Sequence, residues 1–404
     1  MLSKLVPSLE RELAHAVPLR RRLHTCPEPG GRESATARLL TEALPVPVRR
    51  LGDSTNLVVR VGGEGPGVLV RAELDGVELH EETGSPHAAR NGLMHACGHD
   101  VHCAALVALV RAALPLADEL PAPLVAVFQA SEERTPSGAE TVLADEELTR
   151  TVRAAVGVHV HPGIVWGRLG ADPGTVNAAT YGFEVLVEGR AGHGAYPHTT
   201  RDPVLALAQT VVALHTLTGR RADPLNPSVL SVCALSAGAG DNVIPGTARA
   251  LGTLRTMDGD DTAGLREAVR ATVEQIAAAH GCAGTVRTVR DEPALVNDAG
   301  LTAAFRALAD EAGIALAAPW RSCGGDDFAR YGTRWPSLMV FLGLAGAPDF
   351  TPAGLHSPRF LPPEDAVGRV ALAQALGYLA AAGAGPDGVT PARARWGATS
   401  SSDG

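Results

Sequence analysis

Short apolar runs alternate with helical stretches along the first half of the chain. The runs at residues 68–76, 123–129 and 154–160 are rich in β-branched residues and bounded by turn residues, which is typical of buried strands. Between them, apolar residues recur every three to four positions at 100–114 and 138–150, as in a helix. Strands that alternate with helices predict a doubly wound, mostly parallel sheet.

The middle of the chain has a different order of elements. The pattern predicts four strands and two helices, with the strands at 180–189, 228–238, 246–256 and 284–290 and the helices at 202–217 and 261–280. The order strand–helix–strand–strand–helix–strand is that of the ferredoxin-like α+β arrangement. After about residue 291 the α/β pattern resumes, with another buried strand at 336–343. The smaller unit is therefore predicted to be inserted into the larger one.

These changes of pattern predict two domains and a tail. The larger domain comprises residues 1–174 and 286–385, and the inserted domain residues 175–285. Residues 386–404 are rich in Gly, Pro, Ser and Ala and are predicted to be a disordered tail. The expected fold class is α/β, with a doubly wound, mostly parallel sheet and an inserted ferredoxin-like α+β domain.

Charge and the length of the apolar runs exclude two classes of function. The 404-residue chain has a formal net charge of -9, whereas a nucleic-acid-binding surface needs a basic stripe. No run reaches the ~18 apolar residues of a membrane helix, and residues 1–17 have the pattern of an amphipathic helix instead of a signal peptide. The six cysteines form no paired framework, which indicates free thiols. We therefore expect a cytoplasmic protein with neither a nucleic-acid nor a membrane partner.

Side chains that can bind metals follow the predicted strands. In doubly wound sheets, ligands bind beyond the carboxyl ends of the strands. The thiol, imidazole and carboxylate groups at or near these ends belong to Asp75, Cys97, His99, His102, Glu132, Glu133, His159, His161 and His356. Such a set suits zinc, or manganese where more oxygen ligands are added. One histidine alone would more often be a core residue, but the whole set predicts a metal site. Asp100 is predicted to cap the helix that follows.

The adjacent carboxylates Glu132 and Glu133 predict a division of roles. Neighbouring residues at a strand end point in different directions, so one can bind a metal while the other faces the substrate. A general base beside a metal-bound water needs this separation. An acidic turn before a helix remains the alternative interpretation of the pair taken alone.

Together these segments resemble the aminoacylase/hippurate hydrolase family of dinuclear metallo-amidohydrolases, in the branch of N-acyl-amino-acid amidohydrolases and auxin-conjugate hydrolases. The resemblance extends to about residue 382, and the His-Ala-Cys-Gly-His-Asp run is its most specific part. The matching segments, in order, are Arg21–His24, Pro27–Glu28, Arg71–Asp75, Met94–Asp100, His102, Phe128–Glu133, His159–Pro162, Gly192–His198, Asp202–Pro203, Asn242–Pro245, Gly252–Arg255, Asp326–Phe328 and Leu355–Phe360.

The resemblance implies a dinuclear centre and a role for each of several residues. It implies two divalent ions per chain, Mn²⁺ or Zn²⁺, with Co²⁺ or Ni²⁺ as alternatives. The implied metal ligands are Cys97, His99, Glu133, His159 and His356. Glu132 is then the general base on a water that bridges the metals, and Asp75 orients a ligand.

For the inserted domain, the resemblance implies a lid and a dimer interface. His193 is expected to stabilise the oxyanion. Asn242 and Arg255 are expected to hold the substrate carboxylate, because an arginine fork matches a carboxylate. The chain is therefore expected to form a homodimer through this domain. A turn histidine and a surface strand arginine are the alternative interpretations of His193 and Arg255.

The expected activity is metal-dependent hydrolysis of the amide bond of N-acyl amino acids, with acetyl, benzoyl or similar acyl groups. A small-peptide hydrolase, either a carboxypeptidase or a dipeptidase, is the alternative on the same site. A binding protein without activity would not need Glu132 beside the five implied ligands, and a purely structural zinc protein would have one closed metal site per chain. Several positions depart from the family pattern near the pocket: Glu73 stands where Asp is usual, residues 76–78 where Ala-Leu-Pro is usual, residues 130–131 where Pro-Ala is usual, and His161 offers a competing imidazole.

Overall fold

The computed structural model describes residues 1–383, so the tail predicted at 386–404 lies outside the described part of the chain. The chain folds into two compact units. Unit 1 contains Met1–Gly174, Val296–Trp320 and the described residues from Arg330 to Gly383, and unit 2 contains Thr175–Leu295 and Arg321–Ala329. The prediction placed the second boundary at residue 286, which lies inside a strand that unit 2 keeps whole.

The helices of the described residues are numbered in chain order. They are α1 Leu2–Thr25, α2 Ser34–Ala43, α3 His99–Ala113, α4 Gly138–Ala144, α5 Glu146–Thr151, α6 Pro203–Thr216, α7 Thr218–Arg221, α8 Gly259–Ala279, α9 Ala299–Glu311, α10 Ala329–Gly332 and α11 Asp365–Ala382. Short 3-10 helices lie at Leu114–Glu119 and Pro197–Thr199.

The strands are numbered in the same way. They are β1 Arg49–Arg50, β2 Leu57–Val61, β3 Gly67–Glu73, β4 Leu124–Gln129, β5 Val152–Val165, β6 Leu169–Gly170, β7 Gly174–Asn177, β8 Ala179–Glu188, β9 Gly192–His193, β10 Ser228–Ala237, β11 Val243–Ile244, β12 Thr247–Thr256, β13 Ala283–Glu292, β14 Leu295–Asn297 and β15 Ser337–Ala345.

Unit 1 is built on a seven-stranded sheet in the order β1-β2-β4-β3-β5-β15-β6. The four central strands, β4, β3, β5 and β15, run parallel to one another. They are buried along almost their whole length, which explains why they read as continuous apolar runs and not as alternating patterns. The predicted α/β fold with a mostly parallel central sheet is confirmed.

The edges of this sheet were not predicted from the sequence. β1, β2 and β6 pair antiparallel at the two sides of the parallel core. β2 is a buried apolar run like its neighbours, and its direction depends on which strand it pairs with. A local apolar pattern carries no information on that partner.

The central helix of unit 1 is α3. Fourteen of its fifteen residues are buried, and burial of each large apolar side chain contributes about 1.5–3 kcal/mol. Together with the turn that follows, the segment His99–Glu119 is long and apolar enough to cross a membrane, but most of it is buried inside the unit, as in a core helix. The predicted cap is wrong: Gly98 is the N-cap residue, at φ 89°, and Asp100 lies within the first turn.

Unit 2 contains the elements β8–α6–β10–β12–α8–β13, and its four-stranded antiparallel sheet has the order β10-β12-β8-β13. Its core is separate from that of unit 1 and consists of alternate residues of β8, such as Phe183 and Val185, packed with residues of α6 and α8, such as Leu207 and Val269. The predicted ferredoxin-like insertion is confirmed. All six cysteines of the chain, each within the described residues, are free, as expected.

Candidate metal centre

The carboxyl ends of the parallel strands bring the predicted metal ligands together in unit 1. β3 leads to Asp75, β4 leads to Glu132 and Glu133, and His159 lies just past the middle of β5, which runs beyond the end that the sequence predicted. Several groups of residues have potential ligand atoms that all lie within 4.8 Å of one another, and three of these groups are made up of the predicted residues: Cys97 with His99 and His159, Cys97 with Glu133 and His356, and His99 with Glu132 and Glu133.

The first group is fixed by the hydrogen bonds of its histidines. Nδ1 of His159 donates to the backbone oxygen of Val160 at 2.7 Å. Nε2 is therefore unprotonated, and its lone pair is available on the opposite edge of the ring. Nε2 lies 3.4 Å from the sulfur of Cys97. Burial and the neighbouring His102 hold the pKa of His159 well below its usual value. The imidazole is therefore neutral at neutral pH, the form that binds metals.

His99 is oriented by Asp75. Its Nδ1 donates to the backbone oxygen of Asp75 at 2.8 Å and lies 3.4 Å from Oδ1 of the same residue. Burial opposes a charge on the ring, but the hydrogen bond to Asp75 and the charges of Glu73 and Asp75 raise the pKa of His99 to about 10. The same carboxylates favour any cation at Nε2, which is buried and has no hydrogen-bond partner among the described residues.

The second group joins the loop after β15 to the end of β4. Nε2 of His356 lies 2.9 Å from Oε1 of Glu133. The backbone N–H of His356 donates to the oxygen of Ala96 at 2.8 Å, which ties this loop to the one that carries Cys97. His356 has a φ of 60°, in the left-handed region that non-glycine residues rarely occupy. Half of its side chain is exposed, so this side of the centre is open to solvent.

Glu132 and Glu133 differ in their hydrogen bonds and in their burial. The backbone N–H of Glu133 donates to Oδ2 of Asp75 at 2.9 Å, and its carboxylate faces His356. Oε2 of Glu132 lies 3.9 Å from Nε2 of His99. Glu132 is 93% buried, with a relative exposure of 7%. The two carboxylates therefore meet different partners, and Glu132 lies at the inner side of the group.

These donors fit a pair of divalent ions. One thiol, three imidazoles and two carboxylates are a mixed set of soft and hard ligands, which suits zinc and manganese. His99 and His159 each use Nδ1 as a donor, so each presents Nε2 to the centre. Cys97 is common to two groups whose other members differ, which suits two neighbouring ions better than one.

Two further histidines at the same edge are engaged elsewhere. His102 donates from Nδ1 to Glu73 at 2.8 Å and accepts at Nε2 from the N–H of Val160 at 3.1 Å, so both of its nitrogens are used. His161 accepts at Nδ1 from Gly163, and its ring packs against Trp320 with centroids 4.3 Å apart. The prediction that His161 offers a competing imidazole is wrong, because none of the ligand groups within residues 1–383 includes it.

A buried ionic network behind the centre was not predicted. Both nitrogens of His24 donate to carboxylates, Nδ1 to Asp100 at 2.9 Å and Nε2 to Glu81 at 3.1 Å. Arg20 donates to the same oxygen of Asp100 at 2.7 Å. Burial opposes the charge of His24, but Asp100 and Glu81 raise its pKa to about 9. His24 lies in a segment of the family resemblance, and its charge depends on partners that are 57 and 76 residues away.

The candidate residues of unit 2 lie in two places. His193 is in β9, which pairs with β11 next to Asn242, and the N–H of Gly194 donates to the backbone oxygen of Asn242 at 2.7 Å. Both side chains are exposed. Nδ1 of His193 accepts from the N–H of Ala195 at 3.0 Å, so its proton is on Nε2, the nitrogen that can donate to a ligand.

Arg255 differs from the other arginines of this sheet. It donates to the hydroxyl groups of Thr180 and Thr253 and makes no ion pair with the described residues. The other strand arginines have carboxylate partners: Arg249 and Arg287 pair with Glu184, and Arg290 pairs with Glu292. Among the described strand arginines of unit 2, Arg255 is therefore the one whose hydrogen bonds go to hydroxyl groups and not to a carboxylate.

Known proteins resemble this chain over most of its length. An N-acetyl-L-cysteine deacetylase of Bacillus subtilis is 33% identical over 366 residues, which cover 89% of this chain and 86% of the relative. An N-acetyldiaminopimelate deacetylase of Exiguobacterium sibiricum is 32% identical, with 88% of this chain and 96% of the relative covered. The solved structure of a dinuclear metal-binding peptidase of the M20 family from Bacillus subtilis superposes with a TM-score of 0.77 at 26% identity, over 92% of this chain and 98% of that one.

The family assignment follows from these relatives and from the matched length. The model of peptidase family M20/M25/M40 matches residues 69–376, which span both units. The predicted membership of a family of metal-dependent amidohydrolases is confirmed, and with it the prediction that the chain is an enzyme. The chain belongs to peptidase family M20/M25/M40.

Proposed function

We propose that this protein hydrolyses the amide bond of N-acyl amino acids, with Glu132 as the general base, and releases a carboxylate and a free amino acid. The observation that carries the proposal is the buried Glu132 carboxylate, 3.9 Å from His99, beside a Glu133 that has a different partner. Two relatives with almost full-length matches are deacetylases of N-acetyl amino acids, which supports this substrate class.

The metal ligands in this proposal are Cys97, His99, Glu133, His159 and His356. When bound, two divalent ions would polarise the substrate carbonyl and lower the pKa of a water molecule. Zinc and manganese are the ions that the donor set suits best, with cobalt and nickel as alternatives. Asp75 contributes by fixing the ring of His99 through Nδ1.

Glu132 moves the proton in this scheme. Its carboxylate takes a proton from the attacking water and gives it to the leaving amine, which needs a group that is close to the reacting atoms and free to change protonation state. Glu133 has a different task in this scheme, because its carboxylate is assigned to a metal together with His356, 2.9 Å away. The division predicted for adjacent carboxylates therefore supports the assignment of Glu132 as the base.

Unit 2 supplies the proposed contacts with the ends of the substrate. Arg255 would bind the α-carboxylate, together with Asn242, because its guanidinium has only hydroxyl partners among the described residues. His193 would donate from Nε2 to the developing oxyanion.

The proposal includes a homodimer formed through unit 2, in the cytoplasm. β10 is an edge strand of its sheet, and an edge strand is a ready site for another chain. It exposes Val229 and Leu235, and α6 exposes Leu205 and Val212, each by 41–69%. Exposed apolar residues on one edge strand and one helix support a second copy as the partner. Light scattering after size exclusion measures the mass directly, and a monomer would contradict this part.

A substrate panel tests the proposed activity. Protein reconstituted with zinc or with manganese is assayed against N-acetyl and N-benzoyl amino acids and against unblocked dipeptides, and bound metal is counted on the same samples. We expect turnover of the N-acyl compounds and two ions per chain. The alternative activity, small-peptide hydrolysis, is supported by the peptidase of known structure. A preference of about ten-fold or more for the dipeptides would establish that alternative.

A further inference from the structure

The turn that carries Glu132 and Glu133 is held by carboxylates from two other segments. The N–H of Ser131 donates to Oε1 of Glu33 at 2.8 Å. The N–H of Glu133 donates to Oδ2 of Asp75 at 2.9 Å, and the backbone of Glu132 also hydrogen-bonds to Asp75. Three successive backbone groups are therefore held by two buried acidic side chains.

Glu33 has no contact with solvent and uses both of its oxygens. Besides Ser131, Oε1 accepts from the N–H of Gly31 at 2.9 Å, and Oε2 accepts from the hydroxyl of Thr55 at 2.5 Å. A buried carboxylate is costly unless its lone pairs are satisfied, and here three donors satisfy them. Glu33 thus connects the turn before α2, the loop before β2 and the turn after β4.

The close approach of these segments depends on Gly30. A Cβ atom at Gly30 would lie 3.0 Å from Oδ2 of Asp75 and 3.0 Å from Oγ of Ser131. A larger residue would have to displace the Asp75 carboxylate or Ser131 itself. The segment Gly30–Glu33 is therefore packed directly against the base of the metal centre.

Ser131 has a backbone conformation that needs support. Its φ is 52°, in the left-handed region, which is unfavourable for residues other than glycine and asparagine. This conformation turns the chain immediately before Glu132, so that Glu132 and Glu133 point to different partners. A strained residue persists only where its surroundings hold it, and here the contact that holds its N–H comes from Glu33.

We propose that Glu33 is a positioning residue that fixes the orientation of Glu132 and Glu133 by holding the N–H of Ser131. The effect on turnover rests on the function proposed above, whereas the effect on the turn itself does not. Glu33 touches neither Glu132 nor any proposed metal ligand through the hydrogen bonds of its carboxylate, so it acts through the backbone of Ser131.

Three full-length variants test this role. Glu33→Ala removes the acceptor for Ser131. Glu33→Gln keeps an oxygen at the Ser131 position and can place its amide group opposite the Thr55 hydroxyl, which then accepts. Thr55→Val is the matched control, because it removes a hydrogen bond to the same buried carboxylate at the oxygen that does not face Ser131.

Two measurements need no substrate. Hydrogen exchange of the segment 130–135 should be at least ten-fold faster in Glu33→Ala than in wild type, and near wild type in Glu33→Gln and Thr55→Val. The rate at which a chelator removes zinc should rise about 10–100-fold in Glu33→Ala alone, since loss of a group that orients a ligand typically weakens metal binding by this factor.

Turnover provides a third measurement. In metal-saturated protein, kcat of Glu33→Ala should fall about 10–100-fold with KM within about three-fold of wild type, and Glu33→Gln should restore most of kcat. Wild-type exchange and zinc release in Glu33→Ala, or equal effects of Thr55→Val, would overturn the proposal. An inactive wild type would contradict the proposed function but would leave the two substrate-free measurements to decide the role of Glu33.

Discussion

Glu132 and Glu133 are chemically identical neighbours whose surroundings give them different tasks. Glu133 is engaged with His356 at 2.9 Å, whereas the nearest oxygen of Glu132 lies 3.9 Å from Nε2 of His99, beyond hydrogen-bond distance. A carboxylate that binds a metal ion has a lowered pKa and is a poor proton acceptor, whereas one beside the metal can act as a base. The consequences of removing each charge should therefore differ.

Glu132→Gln should keep the metal and lose turnover. The amide has the shape of the carboxylate but cannot accept a proton, and general base catalysis contributes typically 10²–10⁴-fold. We expect kcat to fall by about that factor with metal content unchanged. Glu133→Gln is the control and should lose metal as well as activity. Undiminished turnover of Glu132→Gln would rule out its role as the base.

Arg255→Gln should weaken the binding of substrates that have a free α-carboxylate. A hydrogen bond to a charged group contributes about 1.5–3 kcal/mol, so kcat/KM should fall on the order of 10–100-fold. N-acyl amines without a carboxylate should show no such loss. Arg249→Gln is the matched control, because Arg249 lies in the same strand and pairs with Glu184. Equal losses in both variants would contradict the assignment of Arg255.

At this scale the sequence predicts the chemistry but not the supporting contacts. Cys97, His99 and His159 follow or lie near the ends of apolar runs, so their convergence can be expected from the rule for parallel sheets. Glu33 could not be found in this way, since its role depends on Ser131, which is 98 residues further along the chain. The environment of His161 could not be predicted for the same reason, because its ring packs against Trp320, which is 159 residues away.

Helices α1 and α3 are joined by buried charges. His24 and Arg20 of α1 both donate to Asp100 in the first turn of α3, and His24 also donates to Glu81. Asp100 is therefore engaged by α1 and does not cap its own helix, which explains the wrong prediction for the start of α3. A doubly protonated His24 is required for both of its contacts.

The stability of unit 1 should depend on the charge of His24. Its pKa is about 9 in the folded chain, raised from 6.5, so the stabilisation is complete below pH 6.5 and is lost as the pH rises through 9. The difference in unfolding free energy between wild type and His24→Asn should shrink by about 3 kcal/mol across this range. Denaturant unfolding of both proteins at a series of pH values, with a chelator present, measures this difference.

The control for this prediction lies in the same helix. His15 is largely exposed, and its neighbour is Glu12 at 3.3 Å. His15→Asn should leave the pH profile of stability unchanged. A difference between wild type and His24→Asn that stays constant from pH 6.5 to 9 would contradict the charge assigned to His24.

At the scale of elements, periodicity located the four central strands within about five residues and helices α3, α6 and α8 within two, but it did not predict α2, α9 or α11. It could not reveal that 138–150 is interrupted, where Asp145 ends α4 and caps α5 through its side chain. It also could not give the direction of β2. Helix caps and strand partners depend on contacts with residues that are distant in sequence. Periodicity within a short stretch of sequence therefore could not predict them.

The two units differ in their relation to the metal. All five proposed ligands belong to unit 1, and each unit has its own apolar core. Removal of metal should therefore destabilise unit 1 by about 4 kcal/mol, the value for free metal at 1,000 times the dissociation constant. Hydrogen exchange of β5 should accelerate in the presence of a chelator, while that of β8 should not.

Readdition of zinc or manganese is the control for this experiment. Protection of β5 should return with the metal, because binding to the folded form alone shifts the folding equilibrium. Equal acceleration in β5 and β8 would contradict the assignment of the ligands to one unit. The same samples give the number of bound ions.

The pairing of β5 with β15 bears on the order in which the chain acquires its structure. Val158 pairs with Val340 and His159 with Phe341, so one neighbour of this strand comes from a segment synthesised more than 180 residues later. The intervening unit has a core of its own and can fold while the ribosome is still at work. The central sheet lacks β15, and also β6, which pairs with β15, until β15 emerges, and His356 follows later still. Catalytic competence is therefore among the last properties that a newly made chain acquires.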